Sequence, residues 1–437
     1  MGMASAAPDQ NARVGARQPA GGSAAVDVVV LGAGVVGIAT AYALARRGLR
    51  VAIADKADTP GRGSSFANGA QLSYAYTDAL ASPALLGRLP ALALGLDPAF
   101  RIRLGLDPDL LRWGFGFLRN CNSGEFERAT LEGLKLGLES RAALHDLLAR
   151  HEIDFGHRVA GKLHLQYSDA AMKAAAQGVA LKQSQGIAQT LVDAAEARRL
   201  EPALEGASHL AGAIYSPDEE VGDPFLFATA LLHILVRDYQ VEPHLGFEAV
   251  SMDRRGSGVL VHGRDGACLS ADRLVVALGP AAAGFLRPMG VRLPIVPMKG
   301  YSFTAPPGAQ APRISITDGS RKIVFCALGG QIRVAGLAEL GQADPKVVPA
   351  RLQHLVASAC ASLPQAADYD SIASGWAGLR PMTPSSLPII SEVADRIFVN
   401  VGHGMLGWTF AMGSGERAAA LVAAGLPRLA ALGSPAA

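Results

Sequence analysis

Three glycines and an acid carry the strongest chemical signal in the chain. Gly32, Gly34 and Gly37 stand at the spacing G-x-G-x-x-G, and Asp55 follows about 18 residues later. Gly32 permits a tight turn out of a strand. Gly34 lets backbone approach a pyrophosphate with no Cβ in the way, and Gly37 lets a helix pack closely on the strand. A pyrophosphate placed there faces the open N–H groups and the positive dipole end of that helix. Asp55 can accept hydrogen bonds from both hydroxyls of an adenosine ribose. The pattern is a dinucleotide site, and by itself it does not choose between a flavin and a nicotinamide dinucleotide.

A second group lies near the C-terminus. Gly402, Gly404 and Gly407 surround His403, Met405 and Leu406, and Trp408 follows. This strand–turn–helix junction aims another positive helix end at an anion. Arg380 lies between Leu379 and Pro381 and reads as a loop residue. Its planar guanidinium suits a bidentate carboxylate contact that lysine would not reproduce.

The elements that must position these groups follow from pattern. Asp27–Leu31 and Arg50–Ala54 read as buried parallel strands flanking a helix at about 35–46. Residues 56–78 are a Gly/Ser/Asn-rich loop on the cofactor edge. In it, Ser64 and Ser65 are phosphate contacts, and Asn68, Gly69 and Gln71 reach towards the far end of a dinucleotide. Helices are expected over 125–151, with Leu131, Leu134, Leu138 and Leu148 on one side, and over 193–201 and 225–238. Leu163, Leu165 and Tyr167 alternate with Lys162, His164 and Gln166, a half-buried strand with His164 turned either to solvent, the first choice, or to a cavity. Residues 211–217 form another strand. Residues 250–261 and 273–278 give strands and a hairpin, the second ending at Gly279. Short strands at 293–304, 313–317, 322–326 and 331–336 suggest an antiparallel sheet. Ile397–Val401 leads into the last helix.

Composition sets the limits. The 437 residues are half hydrophobic, enough for two to three domains, and the net charge of +2 argues against a nucleic-acid surface. Cys121, Cys268, Cys326 and Cys360 show no C-x-x-C pairing, so no metal site or disulfide framework is expected. Residues 1–25 read as a disordered arm without the apolar core of a secretory signal. No uncharged run reaches the ~18 apolar residues of a spanning helix. Residues 79–120 mix leucines, Trp113, Phe115 and Phe117 with prolines and arginines. They read either as short core helices or as an apolar surface for lipid, quinone or a partner.

The stretches VVVLGAGVVGIATAYAL, SSFANGAQLS, LRNC, DEEVGD, PMKGYS, GLRPMTP and GHGMLGWT carry a resemblance. The chain resembles the flavin-dependent D-amino-acid oxidase and glycine oxidase superfamily, and within it the small, catalytic subunits of bacterial D-amino-acid dehydrogenases, from residue 26 to about 425. Two departures stand out. Ser385-Ser386 replaces the family's Asp-Gly after GLRPMTP, and Gly69-Ala70 replaces other Gly/Ala combinations.

The resemblance implies an α/β fold: a discontinuous Rossmann-like FAD-binding domain (26–78, 223–284 and 374–430) with an inserted α+β substrate domain (79–222 and 285–373) built on an antiparallel sheet. It implies FAD held by Val30, Leu31, Gly32, Ala33, Gly34, Val35, Val36, Gly37, Asp55, Lys56, Ser64, Ser65, Asn68, Gly69, Gln71, Val250, Gly279, Gly402, Gly404, Met405, Leu406, Gly407 and Trp408. Arg380 then matches the arginine that binds the substrate carboxylate.

The implied reaction is oxidative deamination of a D-amino acid, with hydride passing from Cα to flavin N5. The implied acceptor is a respiratory quinone or another carrier, and the implied location is the cytoplasmic face of the inner membrane, or the cytoplasm, with or without a partner subunit. A related dehydrogenase or oxidase of D-hydroxyproline, glycine or sarcosine, and a flavin-holding subunit of an electron-transfer complex, are the alternatives. Tyr74, Tyr76 and Tyr301 are candidates to assist Arg380, Tyr76 first among them. His403 is either an acid/base or a flavin contact. Lys299 lies at the flavin or in solvent.

Overall fold

The structure, a computed structural model, describes residues 26–87, 89–103, 107–256 and 258–424. The expected disordered arm at 1–25 and the end of the expected last segment, 425–430, lie outside the described residues.

The chain opens with β1 (Val26–Leu31), α1 (Val35–Ala45), β2 (Val51–Asp55) and β3 (Gln71–Leu72). Then come α2 (Pro83–Leu86), α3 (Leu89–Ala93), β4 (Phe100–Ile102), α4 (Pro108–Asn120) and the long α5 (Ser123–Arg150). The next stretch holds β5 (Arg158–Val159), β6 (Lys162–Gln166), α6 (Asp169–Gln183), β7 (Thr190–Asp193), α7 (Ala194–Leu200), β8 (Gly212–Ser216) and β9 (Glu220–Val221). It continues with α8 (Pro224–Tyr239), β10 (Glu242–Leu245), β11 (Ala249–Arg255), β12 (Gly258–Gly263), β13 (Cys268–Val276) and α9 (Ala282–Leu286). The last part is β14 (Val296–Ala305), β15 (Ser315–Asp318), β16 (Ile323–Leu328), β17 (Gln331–Leu340), α10 (Pro349–Ser362), β18 (Ser374–Met382), β19 (Ile389–Ala394), β20 (Ile397–Val401) and α11 (Gly407–Ala424).

The first sheet has a parallel heart in the order β10–β2–β1–β13. Strand β13 is long enough to serve two neighbours. Its first half pairs antiparallel with β12 and its second half pairs parallel with β20. The apolar runs Val28–Leu31 and Val51–Ala54 are buried, as strands covered on both faces require. Helices α1, α5, α8 and α11 cover one face. Phe247, Met252, Leu286 and Ile295 join the core on the other. Small residues let the helices close up. A Cβ on Gly415 of α11 would lie 2.8 Å from the Ala39 backbone of α1, and one on Gly413 would lie 2.8 Å from Ser140 N of α5.

The second sheet runs β18–β14–β17–β16–β15–β6–β8–β7, with β4 paired to β17. Most pairs are antiparallel, as expected, but β15–β6 and β17–β4 are parallel. Its outer face packs on α10 through Leu355 and Ala359.

Three expectations are corrected. Arg380 sits in strand β18, opposite Met298 of β14, and not in a loop. That strand belongs to the second sheet, so residues 374–382 fall outside the first sheet's share of the chain. Helix α5 packs on the first sheet's helix layer, against α11, and its Gly133 and Gly137 leave room for the segment 74–77: a Cβ on them would lie 3.2 Å from Thr77 O and 3.0 Å from Tyr74 O. The buried face of α5 is Ala129, Gly133, Leu134, Leu136, Gly137, Ser140, Leu144 and Leu147, while Leu131, Leu138 and Leu148 are half-buried.

Candidate active site

The turn from β1 into α1 has the shape its glycines require. Gly32 has φ +105°, and a Cβ there would press 2.5 Å from Ala277 O. A Cβ on Gly37 would overlap Gly32 O at 1.7 Å, so only glycine lets α1 start this close to β1. Gly34 differs: the nearest atom to its ideal Cβ is Ser65 Oγ at 3.4 Å. Open space therefore stands where a pyrophosphate would approach. Gly34 caps α1 with no side chain of its own, and no acid lies in the first turn to compete for the dipole. Ser65 Oγ accepts from Val35 N at 3.2 Å. Asp55 ends β2 and accepts from Ala33 N (2.7 Å) and Ala57 N (2.9 Å), which fixes its carboxylate at the mouth of the turn. Val30, Leu31, Ala33 and Val35 are buried, Val36 is half-buried, and Lys56 is exposed. The cradle fits a dinucleotide.

The segment after β2 then crosses the second sheet strand by strand. Ser64 Oγ donates to Leu379 O of β18, and Ser302 of β14 donates to Ala67 O. Gly69 lies against Val324 of β16, where a Cβ would meet Cγ2 at 2.9 Å. Asn68 Oδ1 accepts from Ala70 N at 2.8 Å, which supports the left-handed φ of +58° at Ala70. Gln71 Nε2 donates to Phe325 O at 3.2 Å. Lys162 Nζ of β6 donates to Ser73 Oγ at 2.8 Å. The strap thus starts beside the α1 cradle and ends at β6.

Arg380 lies at the cradle end of this strap. Its guanidinium covers Gly300 of β14 so closely that a Cβ there would sit 2.2 Å from Nη2. Nη1 donates to Leu337 O at 3.0 Å. Leu337 takes φ +58°, where the β14–β17 register shifts between Lys299 and Tyr301. A non-glycine residue in that region stores about 1–3 kcal/mol, and such strain gathers at functional sites. Among the described residues no carboxylate pairs with Arg380. Burial alone pushes its guanidinium down to about 10. A half-buried, partly desolvated cation without a counter-ion suits an anion.

The C-terminal turn faces the same region. Gly402 has φ +82°, and a Cβ there would strike Thr383 Cγ2 at 2.6 Å. Gly404, Met405 and Leu406 form one 3₁₀ turn before Gly407 opens α11, and Met405 is exposed. His403 packs into the core of the turn. It is buried, its Nε2 lies 3.0 Å from Ser414 Oγ, and burial pushes it down to about 3. Asn400 donates to the same hydroxyl and to Thr40 Oγ1, so His403 belongs to a neutral network tying the turn to α11 and α1. Trp408 is corrected as a cofactor contact of its side chain. Its indole is buried against Phe155 and Phe227 and donates to Gly222 O at 3.1 Å. Gly279 has φ +56° and open space around it, at the end of the chain leaving β13. Val250 is exposed, and the β11–β12 register shift between Ala249 and Ser251 falls on it.

The tyrosines separate. Tyr74 OH donates to Glu220 Oε2 at 2.9 Å, and Tyr301 OH donates to Glu339 Oε2 at 3.2 Å, so both serve buried carboxylates. Lys299 is buried with Nζ 5.3 Å from the Tyr301 ring, not in solvent. Tyr76 is not brought to Arg380. Its OH lies 3.4 Å from His164 Nε2, and Lys162 Nζ lies 4.2 Å from its ring. Both partners are on β6, three strand steps from β17, whose Leu337 O holds the Arg380 guanidinium, about 14 Å along the sheet. His164 points inward, not to solvent, and burial with nearby Lys162 pushes it down to about 4.

Residues that pattern-reading passed over include Gly300, Ser302, Leu337 and Lys162. Gly300 stood inside the PMKGYS stretch, but nothing in its type announced that an arginine would lie across it. Glu220 was also unassigned: it accepts from Tyr74 and lies 2.6 and 2.9 Å from the Nε2 atoms of His145 and His157. Arg141 approaches it at 3.5 Å, which makes it a buried carboxylate held by donors on every side. Ser386 adopts φ +65°, where the resembling family has glycine, and its Oγ accepts from Leu80 N at 2.9 Å.

A Gly-rich strand–helix cradle, a fixed acid on the next strand and a second sheet set over them define a dinucleotide-dependent oxidoreductase. The chain belongs to the FAD dependent oxidoreductase family, whose model matches residues 27–421. It is similar to D-amino acid dehydrogenase 2 of Ralstonia nicotianae, with 39% identity over 93% of this chain and 98% of the relative. D-amino acid dehydrogenase 2 of Pseudomonas aeruginosa is 39% identical over 89% of this chain and 93% of the relative. Among solved structures, glycine oxidase from Geobacillus kaustophilus shares the fold with a TM-score of 0.72. It is 21% identical and covers 93% of this chain and 97% of its own.

Proposed function

We propose that the protein is an FAD-dependent D-amino-acid dehydrogenase that converts its substrate to a 2-oxo acid and ammonia. The observation that carries this reading is Arg380, a half-buried guanidinium with no acid partner among the described residues, set over Gly300 beside the dinucleotide cradle. Relatives named D-amino acid dehydrogenase, aligned over nearly the whole chain, supply the substrate class. The chemistry FAD supplies when bound is acceptance of a hydride at N5.

The chain's own residues do the rest. Gly34 and the N–H groups of α1 receive the pyrophosphate, and Asp55 the ribose. Arg380 grips the substrate carboxylate with two parallel N–H donors and so fixes where Cα lies. The sheet above excludes water, which strengthens that contact. His403 stays neutral and holds the C-terminal turn. The imino acid product is then hydrolysed by water.

The test is anaerobic bleaching of the flavin by a panel of D- and L-amino acids, glycine and sarcosine. Bleaching by D-amino acids supports the reading. Bleaching by glycine or sarcosine alone assigns a related amine oxidoreductase instead.

We further propose that electrons pass to a membrane quinone while α4 rests on the membrane surface. Leu111, Phe115 and Leu118 lie at helical spacing on one exposed face, while Trp113 and Phe117 on the other face are buried. Leu94 and Leu96 nearby are also exposed, and Arg112 and Arg119 flank the apolar row. Such a face suits an anionic lipid surface. Among the described residues no helix is long and apolar enough to cross a membrane.

A further inference from the structure

The antiparallel extension of the first sheet carries a constellation that the flavin reaction does not use. Strands β11, β12 and β13 are buried on one face through Met252, Val259, Val261 and Ala271. Their other face is open. On it His262 pairs in register with Cys268, and Asp253 stands on the neighbouring strand. Cys268 Sγ lies 3.4 Å from His262 Nδ1, and His262 Nε2 lies 2.8 Å from Asp253 Oδ2. The other contact of the sulfur is Gly266 O at 3.8 Å.

These contacts fix the tautomer. A carboxylate only accepts, so Nε2 carries the ring proton, and the lone pair of Nδ1 faces the thiol. Nucleophile, base and orienting acid are therefore in the order that activates a nucleophile. Asp265 Oδ1 accepts from Ala267 N, and Arg264 pairs with Glu248.

The other cysteines provide the contrast. Cys121 and Cys326 are buried, and burial pushes the Cys326 thiol up to about 12. Cys360 is exposed on α10, and among the described residues no imidazole contacts its sulfur.

We propose that Cys268 is a reversible S-thiolation site that takes low-molecular-weight disulfides, with His262 as its base. The thiol proton moves to Nδ1 as the sulfur attacks one atom of the disulfide. A new S–S bond forms to Cys268 while the old one breaks. The leaving thiolate takes the proton back from the imidazolium. Cys268 is oxidised to the disulfide level, and half of the reagent is reduced to a thiol. Asp253 holds the ring and stabilises its charged form during transfer.

The test uses the holoenzyme and the uncharged probe 4,4′-dithiodipyridine near neutral pH, with peptide mass mapping to separate the cysteines. Cys268 reacts about tenfold or more faster than Cys360, at the low end of what a positioned base supplies. C268S removes the fast phase, H262N brings Cys268 to the rate of Cys360, and D253N slows it several-fold. Flavin reduction by substrate is unchanged in all three. A Cys268 rate equal to that of Cys360, or an unchanged rate in H262N, overturns the proposal.

Discussion

Arg380→Ala is the most informative single change in this protein. The guanidinium can offer two parallel charge-assisted hydrogen bonds to a carboxylate, each worth about 1.5–3 kcal/mol. Their loss therefore removes roughly 3–6 kcal/mol of transition-state stabilisation, a fall of about 10²- to 10⁴-fold in kcat/KM. The side chain's hydrogen bond within the fold is to Leu337 O, and among the described residues none is made to the α1 cradle. FAD content should stay at the wild-type level, and thermal stability should change little, because the variant deletes a half-buried cation that has no carboxylate partner among the described residues. Gly300→Ala supplies a geometric control. Its Cβ would sit 2.2 Å from Nη2, so the guanidinium must swing aside although its charge remains. That variant should lose kcat/KM by roughly ten- to a hundredfold on the same grounds of misplacement. Arg380→Lys should fall between the two, since an ammonium lacks the planar fork. The assay is anaerobic stopped-flow reduction of the bound flavin. An Arg380→Ala enzyme within about threefold of wild type would refute the reasoning.

Gly34 and Gly37 should fail in different ways: Gly34→Val folds but purifies without flavin absorbance, and Gly37→Ala does not give soluble folded protein, as read by circular dichroism. His403 carries a pH signature. Its folded-state value is depressed to about 3, so the unfolded chain binds a proton below about pH 6.5 that the folded chain refuses, and stability falls as pH drops from there. Urea unfolding at about pH 6.5 and pH 5 should differ by about 2 kcal/mol from this group, a difference that His403→Asn removes. Tyr76→Phe should leave kcat/KM within about threefold, because three strand steps separate β6, which Tyr76 contacts, from β17, which holds the Arg380 guanidinium; a hundredfold loss would place it at the substrate. Leu111→Glu with Phe115→Glu should abolish sedimentation with anionic vesicles while leaving turnover with a soluble dye intact.

The cradle was legible because its chemistry is local. Strand, glycines, helix and acid are consecutive, and each glycine answers a backbone demand within the same turn. The two-sheet architecture followed from apolar runs and short alternating strands. The errors arose where tertiary partners decide. Arg380 lies on a strand interrupted by glycine and Pro381, and only pairing with β14 makes it one. Helix α5 was expected to bury its leucines, but its glycines are what the segment 74–77 packs on. His403 looks like a catalytic base in a glycine-rich turn, and its neutrality comes from Ser414, Asn400 and full burial. The strap at 64–76 could be recognised as a loop, but its course across the sheet, which separates Tyr76 from Arg380, is written in contacts with residues 88 to 315 positions away.

The central claim is that Arg380 and the cradle together present a D-amino acid to FAD. Anaerobic bleaching of the wild-type flavin with matched D- and L-amino acids, repeated in Arg380→Ala, tests it most directly. The expected result is fast bleaching by D-amino acids, little by their L-forms, and a loss of at least a hundredfold in the variant with FAD still bound. Bleaching by L-amino acids alone, or equal rates in the two proteins, would contradict it.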